Sequence, residues 1–311
     1  MLRLDGIHHV TSITADARRN VAFYTELLGL RLTARTVNQD DPGVYHLFYG
    51  DEYGQPGADL TFFEFPHAKR GTAGRGMVHR VVHRVASVRA IDFWAERLMR
   101  AGHLRHSDDS RVVFEDPDGL AHELMIDVSG DEPLVARHPD IPREVALRGF
   151  EGVRAYSRHL EAAGSTLREL MGAIEAPGNA HYTVRGDRRG GWIAFDEPPA
   201  APGSPGAGTV HHVAWVSKDE DLPRWIDRVT AFGLPNSGYV DRHYFHSLYF
   251  REPGGILYEL ATEGPGFLVD GVTADELGST LILPPFLEPR RGEIEANLAP
   301  LPNPRPRAAR P

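Results

Sequence analysis

Four segments of this 311-residue chain follow the same order of elements, and this repeat restricts the fold more than any other feature of the sequence. Each segment has a short apolar strand, an amphipathic helix, and further strands that meet at a hairpin. The helices are predicted at residues 16–28, 90–100, 166–171 and 222–232, each with a glycine near its C-terminal end. The sequence therefore predicts an α+β fold of four βαβββ modules in tandem.

Linker-like stretches rich in Gly, Pro and polar residues separate the modules and suggest where the chain divides. Residues 1–130 are predicted to hold the first two modules, residues 144–263 the last two, and residues 264–311 a C-terminal tail. The last dozen residues, which are polar and rich in proline, are predicted to be disordered. Five apolar tail residues are expected to pack back on the modules: Phe267, Leu277, Leu281, Ile282 and Leu283.

Composition limits the partners and the chemistry. The chain has 34 Lys and Arg against 43 Asp and Glu, and the net charge of −9 is spread along it, so neither nucleic acid nor a membrane is an expected partner. Small molecules fit better. Cysteine is absent, which excludes disulfides, thiolate ligands and a cysteine nucleophile, so a metal would need His and carboxylate ligands. The sequence lacks a signal-like or membrane-spanning apolar run, which predicts the cytoplasm.

Two His-His dipeptides, His8-His9 and His211-His212, each open an apolar strand, and a later strand carries the lone carboxylate Glu259. Side chains alternate along a strand, so only one histidine of each pair can point into the interior. Two inward imidazoles and one inward carboxylate form a three-ligand set that suits iron(II) or manganese(II).

The ordered set of motifs resembles the vicinal oxygen chelate superfamily, which includes glyoxalases, bleomycin-resistance proteins and extradiol dioxygenases. The likeness covers nearly the whole chain and is nearest to the ring-cleaving dioxygenases that act on para-hydroquinones. It is carried by GIHHVT, YHLFYGDEYGQPG and TVHHVAW, by the run from Asp241 to Arg251, and by Pro253-Gly254-Gly255 and Tyr258-Glu259.

The resemblance implies that two modules pair into an open barrel with metal ligands inside, and it identifies these ligands as His9, His212 and Glu259, with Fe(II) as the metal and Mn(II) as the alternative. The second module has Arg80 at the matching place and the third has no histidine there. We therefore infer that modules one and four share the metal barrel and that modules two and three form another. If one ion binds both imidazoles, their nitrogens should lie about 3 Å apart.

The activity implied by the resemblance is a metal-dependent dioxygenase that inserts both atoms of O2 into a hydroquinone- or catechol-type aromatic. Its partners would be a small aromatic substrate and O2, and the sequence leaves open whether the chain forms a homo-oligomer. Tyr249 is the candidate acid/base or partner of a substrate hydroxyl. Arg242 is a candidate for stabilising anionic oxygen, and Thr11, His8 and His211 are expected to orient ligands or relay protons.

Two other functions stay open. Glu64 lies on the last strand of module one and could be the counterpart of Glu259, which would give the two-His, two-Glu set of a glyoxalase I-like isomerase or thiol transferase. A one-residue difference in strand register would turn Glu64 outward. The other alternative is a metal-free small-molecule binding or resistance protein. Glu123 in module two matches Glu259 in place but lacks a histidine partner, and is predicted to be a relic or a salt-bridge partner.

Overall fold

The computed structural model describes residues 2–178 and 180–304, and four βαβββ modules account for its strands. Module one has β1 Ile7–Thr14, β2 Arg31–Asn38, β3 Asp41–Gly50 and β4 Asp59–Glu64; module two has β5 Met77–Val85, β6 Leu104–Ser107, β7 Arg111–Glu115 and β8 Ala121–Ile126. Module three has β9 Phe150–Tyr156, β10 Ile174–Ala176, β11 His181–Arg185 and β12 Gly190–Phe195; module four has β13 Val210–Ser217, β14 Val240–Asp241, β15 Phe245–Arg251 and β16 Leu257–Pro265. The predicted α+β class and module plan are confirmed.

The strands form two eight-stranded sheets. Each sheet joins one module from residues 1–130 to one module from residues 144–263. The first has the order β14-β15-β16-β13-β1-β4-β3-β2, and the second β10-β11-β12-β9-β5-β8-β7-β6. Antiparallel pairing of β1 with β13, and of β5 with β9, joins the modules. The prediction that modules one and four share one barrel, and two and three another, is confirmed. The boundaries at residues 130, 144 and 264 follow chain order and stay a prediction.

Each module has its helix between its first two strands. The helices are α1 Ala17–Ala22, α2 Val88–Arg100, α3 Leu160–Ser165, α4 Leu222–Ala231 and, in the tail, α5 Arg291–Asn297. Wider π-helical turns at Phe23–Leu27 and Thr166–Leu170 extend α1 and α3, and short 3₁₀ turns lie at Asp219–Asp221, Ala274–Glu276 and Glu288–Arg290. The third helix begins at Leu160 and not at residue 166 as predicted. Gly164 lies inside this helix, although glycine has a low helix propensity. A larger residue does not fit at this position, because a Cβ there would collide with the Tyr182 hydroxyl.

The main hydrophobic core lies between the helices and the outer faces of both sheets, and it buries Trp94, Trp215 and Trp225. A smaller cluster on the concave face of the first sheet includes Phe267 and Leu277 from the tail. Leu283 joins the main core, and Leu281 and Ile282 pack at the edges of the two clusters, so the predicted packing of the tail is confirmed.

Part of the segment predicted to be disordered, residues 305–311, lies outside the described residues. Within residues 2–178 and 180–304, no helix is both long and apolar enough to cross a membrane.

Candidate metal centre and substrate cavity

Alternation along six strands brings a set of polar and aromatic side chains together on the concave face of the first sheet. Residues at the intervening positions, such as Val213, Trp215 and Leu260, belong to the main core on the other face. The side chains that this alternation groups on the concave face are His9 and Thr11 on β1, His46 and Phe48 on β3, Thr61 and Phe63 on β4, His212 on β13, Ser247 and Tyr249 on β15, and Glu259 on β16.

His9, His212 and Glu259 meet at one point, although His9 and His212 are separated by 203 positions in the chain. The Nε2 atoms of the two histidines are 3.1 Å apart, close to the separation expected for two ligands of one ion. Glu259 Oε2 lies 3.0 Å from His9 Nε2 and 2.9 Å from His212 Nε2. All three side chains are buried. In the described part of the chain, this is the one group of three or more His, Asp or Glu side chains close enough to share an ion.

The three atoms fit a divalent metal ion. For metal–ligand distances of about 2.1 Å, neighbouring ligands on an octahedron lie about 3.0 Å apart, whereas tetrahedral ligands lie about 3.4 Å apart. The observed separations of 2.9 to 3.1 Å match one face of an octahedron, the arrangement of the two-His, one-carboxylate sites of non-haem iron enzymes. Glu259 Oε2 is buried and has no hydrogen-bond partner in the described part of the chain, which is costly unless a cation satisfies it.

Electrostatics keep Glu259 and His212 in the protonation states that bind metal. Burial by itself would raise the pKa of Glu259, but the adjacent His9 and His212 lower this pKa well below its ordinary value. Burial also lowers the pKa of His212, although the adjacent Glu259 carboxylate opposes this shift. An ionised carboxylate therefore faces a neutral His212 imidazole. Ser247 holds the other carboxylate oxygen, since its Oγ donates to Glu259 Oε1 at 2.5 Å.

His8 and His211 contact the outer nitrogens of the candidate ligands. His8 Nε2 is 3.1 Å from the carbonyl oxygen of Thr262, which only accepts, so His8 Nε2 carries a proton. Since burial lowers the pKa of His8 to about 3, His8 is neutral and its Nδ1 must accept from His9 Nδ1, 3.0 Å away. This fixes the His9 tautomer with a free lone pair on Nε2. His211 Nδ1 lies 2.8 Å from His212 Nδ1 and can orient that imidazole in the same way.

Thr11 and His46 belong to a chain of hydrogen bonds beside the triad. Thr11 Oγ1 is 3.0 Å from His212 Nε2 and 2.7 Å from Thr61 Oγ1, and His46 Nε2 is 3.0 Å from the same Thr61 hydroxyl. Burial, with the nearby His9 and His212, lowers the pKa of His46 well below its ordinary value, so its imidazole is neutral. The sequence predicted Thr11 but missed His46 and Ser247. Both could have been found from the alternation of side chains along the strands of modules one and four, which places His46 and Ser247 on the inward face.

The matching place in the second sheet holds an ion cluster. Glu123 pairs with Val82 between β8 and β5, as Glu259 pairs with Ala214 between β16 and β13, so Glu123 is the counterpart of Glu259. Its Oε2 is 2.7 Å from Arg80 Nη1 and 3.4 Å from Arg154 Nε. The predicted salt-bridge role of Glu123 is confirmed, because guanidinium groups take the place that an ion could occupy in the first sheet.

Glu64 is not the counterpart of Glu259, and the expectation that it could be one is wrong. Thr11 pairs with Thr61 between β1 and β4, whereas Glu64 pairs with Thr14 further along. Thr61 therefore occupies the place in module one that Glu259 occupies in module four. The Glu64 carboxylate instead accepts a hydrogen bond from the backbone nitrogen of Ala17 at the start of α1, at 2.9 Å. The triad includes no second carboxylate among the described residues.

Tyr249 and Arg242 lie together at the cavity above the triad. Arg242 Nε donates to the Tyr249 hydroxyl at 3.3 Å, and its guanidinium lies 5.4 Å from the centre of the Tyr249 ring. Two further bonds of 3.3 and 3.1 Å join Arg242 to the carboxylate of Asp40. Burial and the charge of Glu259 raise the pKa of Tyr249, so the phenol keeps its proton at neutral pH and can donate it.

Aromatic side chains line most of the remaining cavity wall. They are Phe48, Phe63, Tyr244 and Phe245, together with the imidazole of His46. The His46 ring centre lies 4.1 Å from that of Phe48 and 4.3 Å from that of Phe63, which builds one continuous wall. Aromatic walls with a few polar groups at one end match the faces of a planar ring whose oxygen atoms point toward the triad.

Comparisons with known proteins agree with this architecture. The model of the Glyoxalase/Bleomycin resistance protein/Dioxygenase superfamily matches residues 6–124 and 150–260. A Bacillus subtilis protein named "Putative ring-cleaving dioxygenase MhqA" is 39% identical over 96% of this chain and 100% of its own length. A protein of Sphingobium indicum named chlorohydroquinone/hydroquinone 1,2-dioxygenase is 32% identical over 94% of this chain and 95% of its own.

Solved structures show the same fold. A crystal structure described as a "putative dioxygenase" from Bacillus subtilis superposes with a TM-score of 0.89 at 35% identity, covering 97% of this chain and 99% of the other. Glyoxalase I from Zea mays superposes with a TM-score of 0.58 at 15% identity, covering 83% of this chain and 92% of the other, which is a likeness of fold alone. With a family model spanning most of its length and relatives above 30% identity along nearly all of it, the chain belongs to the Glyoxalase/Bleomycin resistance protein/Dioxygenase superfamily.

Proposed function

We propose that this chain is a metal-dependent ring-cleaving dioxygenase that inserts both atoms of O2 into a hydroquinone- or catechol-type aromatic. The observation that carries the proposal is the convergence of His9 Nε2, His212 Nε2 and Glu259 Oε2 at about 3 Å from one another, beside a cavity with aromatic walls. The names of the relatives support it, since they include ring-cleaving and hydroquinone dioxygenases.

In this proposal His9, His212 and Glu259 hold Fe(II), with Mn(II) as the alternative. When bound, such an ion has coordination positions left open and supplies the electron transfer that lets an electron-rich ring react with dioxygen. The residues around the triad hold its shape. His8 and His211 orient the two imidazoles, and Ser247 fixes the carboxylate of Glu259 through its 2.5 Å hydrogen bond.

Tyr249 and Arg242 would act on the substrate oxygen. The phenol of Tyr249 is protonated at neutral pH, so it can donate a hydrogen bond to a substrate oxygen and pass its proton there when negative charge develops. Arg242 contacts the Tyr249 hydroxyl and would stabilise that charge, while Asp40 keeps the guanidinium in place. Thr11 would assist by orienting His212.

The aromatic wall would position the ring. Phe48, Phe63 and Phe245 offer faces and edges against which a planar substrate can pack, and they exclude water from the reacting end. A para-dihydroxybenzene is the first substrate to test because one relative is named a hydroquinone dioxygenase. The cytoplasmic location stays a prediction, and a homo-oligomer stays open.

The test is oxygen uptake by protein purified without air and loaded with Fe(II). We expect hydroquinone or a chlorohydroquinone to consume one molecule of O2 per ring opened, and a chelator to abolish the uptake. Catechol in the same panel assigns the ring type. Isomerisation of a methylglyoxal–thiol adduct without oxygen uptake would replace the proposal with the isomerase. Substrate binding without metal and without turnover would replace it with the binding protein.

A further inference from the structure

A second cavity, of about 210 Å³, borders the candidate metal centre and is lined by three arginines. His212 lines both this cavity and the aromatic one, and His211 lies in the wall of the second. The charged side chains of its lining are Arg75, Arg158 and Arg251, and no Asp or Glu is among the described residues that line it. We refer to it as the arginine cavity. Its positive lining stands out in a chain whose net charge is −9.

The three arginines come from distant parts of the chain and meet at a contact between two glycines. Arg158 Nε donates to the backbone oxygen of Arg75 at 3.3 Å, and Arg251 Nη1 donates to the backbone oxygen of Gly255 at 2.6 Å. Gly76 and Gly255 have φ angles of 84° and 111°, and a Cβ on either would crowd the Arg158 side chain. The backbone is therefore shaped to seat Arg158 between the linker and the last hairpin of module four.

Among the described residues, no carboxylate forms an ion pair with these three arginines. Among residues 2–178 and 180–304, no carboxylate oxygen lies within the 4.0 Å ion-pair distance of Arg75, Arg158 or Arg251. The adjacent acid, Glu252, directs its carboxylate at the backbone nitrogens of Gly254 and Ile256, at 2.5 and 2.8 Å. Like charges brought together without a partner repel each other, and a bound anion would relieve that repulsion.

We propose that the arginine cavity binds a small organic anion that carries carboxylate groups. A guanidinium offers parallel N–H donors that match the two oxygens of a carboxylate. A dicarboxylate can use two of the three arginines at once. The opened acid formed by ring cleavage carries a carboxylate, which one guanidinium could bind, and it would arise next to His212. That identification of the ligand rests on the proposed function, whereas the binding of a carboxylate anion does not.

Calorimetric titration of the full chain, loaded with metal, with maleate as the dicarboxylate probe tests the proposal. Inorganic phosphate serves as a second probe, because it shares the negative oxygens but not the carboxylate shape. We expect maleate to bind and the affinity to fall by about tenfold in Arg251→Gln and in Arg75→Gln, as for the loss of one charged hydrogen bond. The matched control is Arg100→Gln, an exposed arginine on α2 that pairs with Glu96, and it should bind maleate as the wild type does.

Arg75 keeps the test independent of folding, because no hydrogen bond or ion pair of its guanidinium to a described residue would be lost in Arg75→Gln. Absence of maleate binding, or equal binding in the wild type and both arginine variants, would overturn the proposal. Maleate bound to the metal would bind equally to these variants and be lost in Glu259→Ala, which also overturns it. Binding of phosphate without maleate would refute the carboxylate assignment. Arginine-dependent maleate binding in a protein that opens no ring would support the site and reject only the proposed function.

Discussion

Replacing Ser247 with alanine should weaken metal binding although it removes no ligand. The Ser247 hydroxyl donates to Glu259 Oε1 at 2.5 Å, and both residues are fully buried. Without the hydroxyl, Glu259 Oε1 would lose a hydrogen bond to a charged group, which is worth about 1.5–3 kcal/mol. Since about 1.4 kcal/mol corresponds to a factor of ten, the metal affinity should fall by roughly ten- to a hundredfold. This is the range found when an outer partner of a metal ligand is removed.

The assay is competition for Fe(II) between the protein and a coloured chelator, without air, at equal protein concentration. The matched control is Ser12→Ala on β1, because Ser12 is also fully buried but its hydroxyl has no hydrogen-bond partner among the described residues. This variant loses the same atom without losing a bond and should bind metal as the wild type does. Equal affinities in the wild type and Ser247→Ala, or an equal loss in both variants, would refute the reasoning.

Three further predictions concern Tyr249, the two carboxylates Glu259 and Glu123, and the buried His83. Tyr249→Phe should retain metal but slow ring cleavage by roughly a hundredfold, because a positioned proton donor is lost; unchanged oxygen consumption at equal iron content would remove Tyr249 from the mechanism. Glu259→Ala should lose bound metal, whereas Glu123→Ala, whose carboxylate pairs with Arg80, should keep it; metal analysis showing the reverse would place the centre in the second sheet. Burial lowers the pKa of His83 from 6.5 to about 3. Below pH 6.5 the unfolded chain therefore binds a proton at this residue that the folded chain does not. The free energy of unfolding should consequently fall by about 1.4 kcal/mol per pH unit as the pH is lowered toward 4. Denaturant titrations of His83→Gln should show a shallower pH dependence, and an unchanged slope would contradict this origin.

The sequence predicts that modules one and four pair and that His9 lies next to His212. Few strand arrangements allow both histidines to bind one ion. Histidine pairs open only the first and fourth modules, so one ion bound by both pairs requires those two modules to lie next to each other. The expected separation of about 3 Å for two ligands of one ion compares with 3.1 Å between the two Nε2 atoms. This part of the fold was predicted from local strand patterns and one chemical requirement together with the resemblance, which implies that two modules pair into one barrel.

Strand register and contacts distant in sequence could not be predicted in the same way. Glu64 and Thr61 lie on one short strand, and the choice between them depends on how β4 pairs with β1, which no local pattern specifies. Ser247 and His46 resemble ordinary polar residues in a strand. Their importance comes from Glu259 and Thr61 on neighbouring strands, and those contacts exist only once the sheet has formed.

The third helix shows the same limit for local structure. A glycine inside a helix costs about 1 kcal/mol relative to alanine, so Gly164 argues against a helix that starts as early as Leu160. The helix forms because the glycine makes room for the Tyr182 hydroxyl on β11. A local preference is thus overruled by a tertiary contact that the sequence does not display.

In the proposed function, the triad of His9, His212 and Glu259 enables insertion of both atoms of O2 into an aromatic ring. The most direct measurement is mass spectrometry of the product formed from hydroquinone by the Fe(II)-loaded protein under oxygen-18 gas. We expect an opened acid that carries two oxygen-18 atoms, after correction for exchange with water, and no product from Glu259→Ala. A product without oxygen-18, or one that keeps its ring, would contradict it.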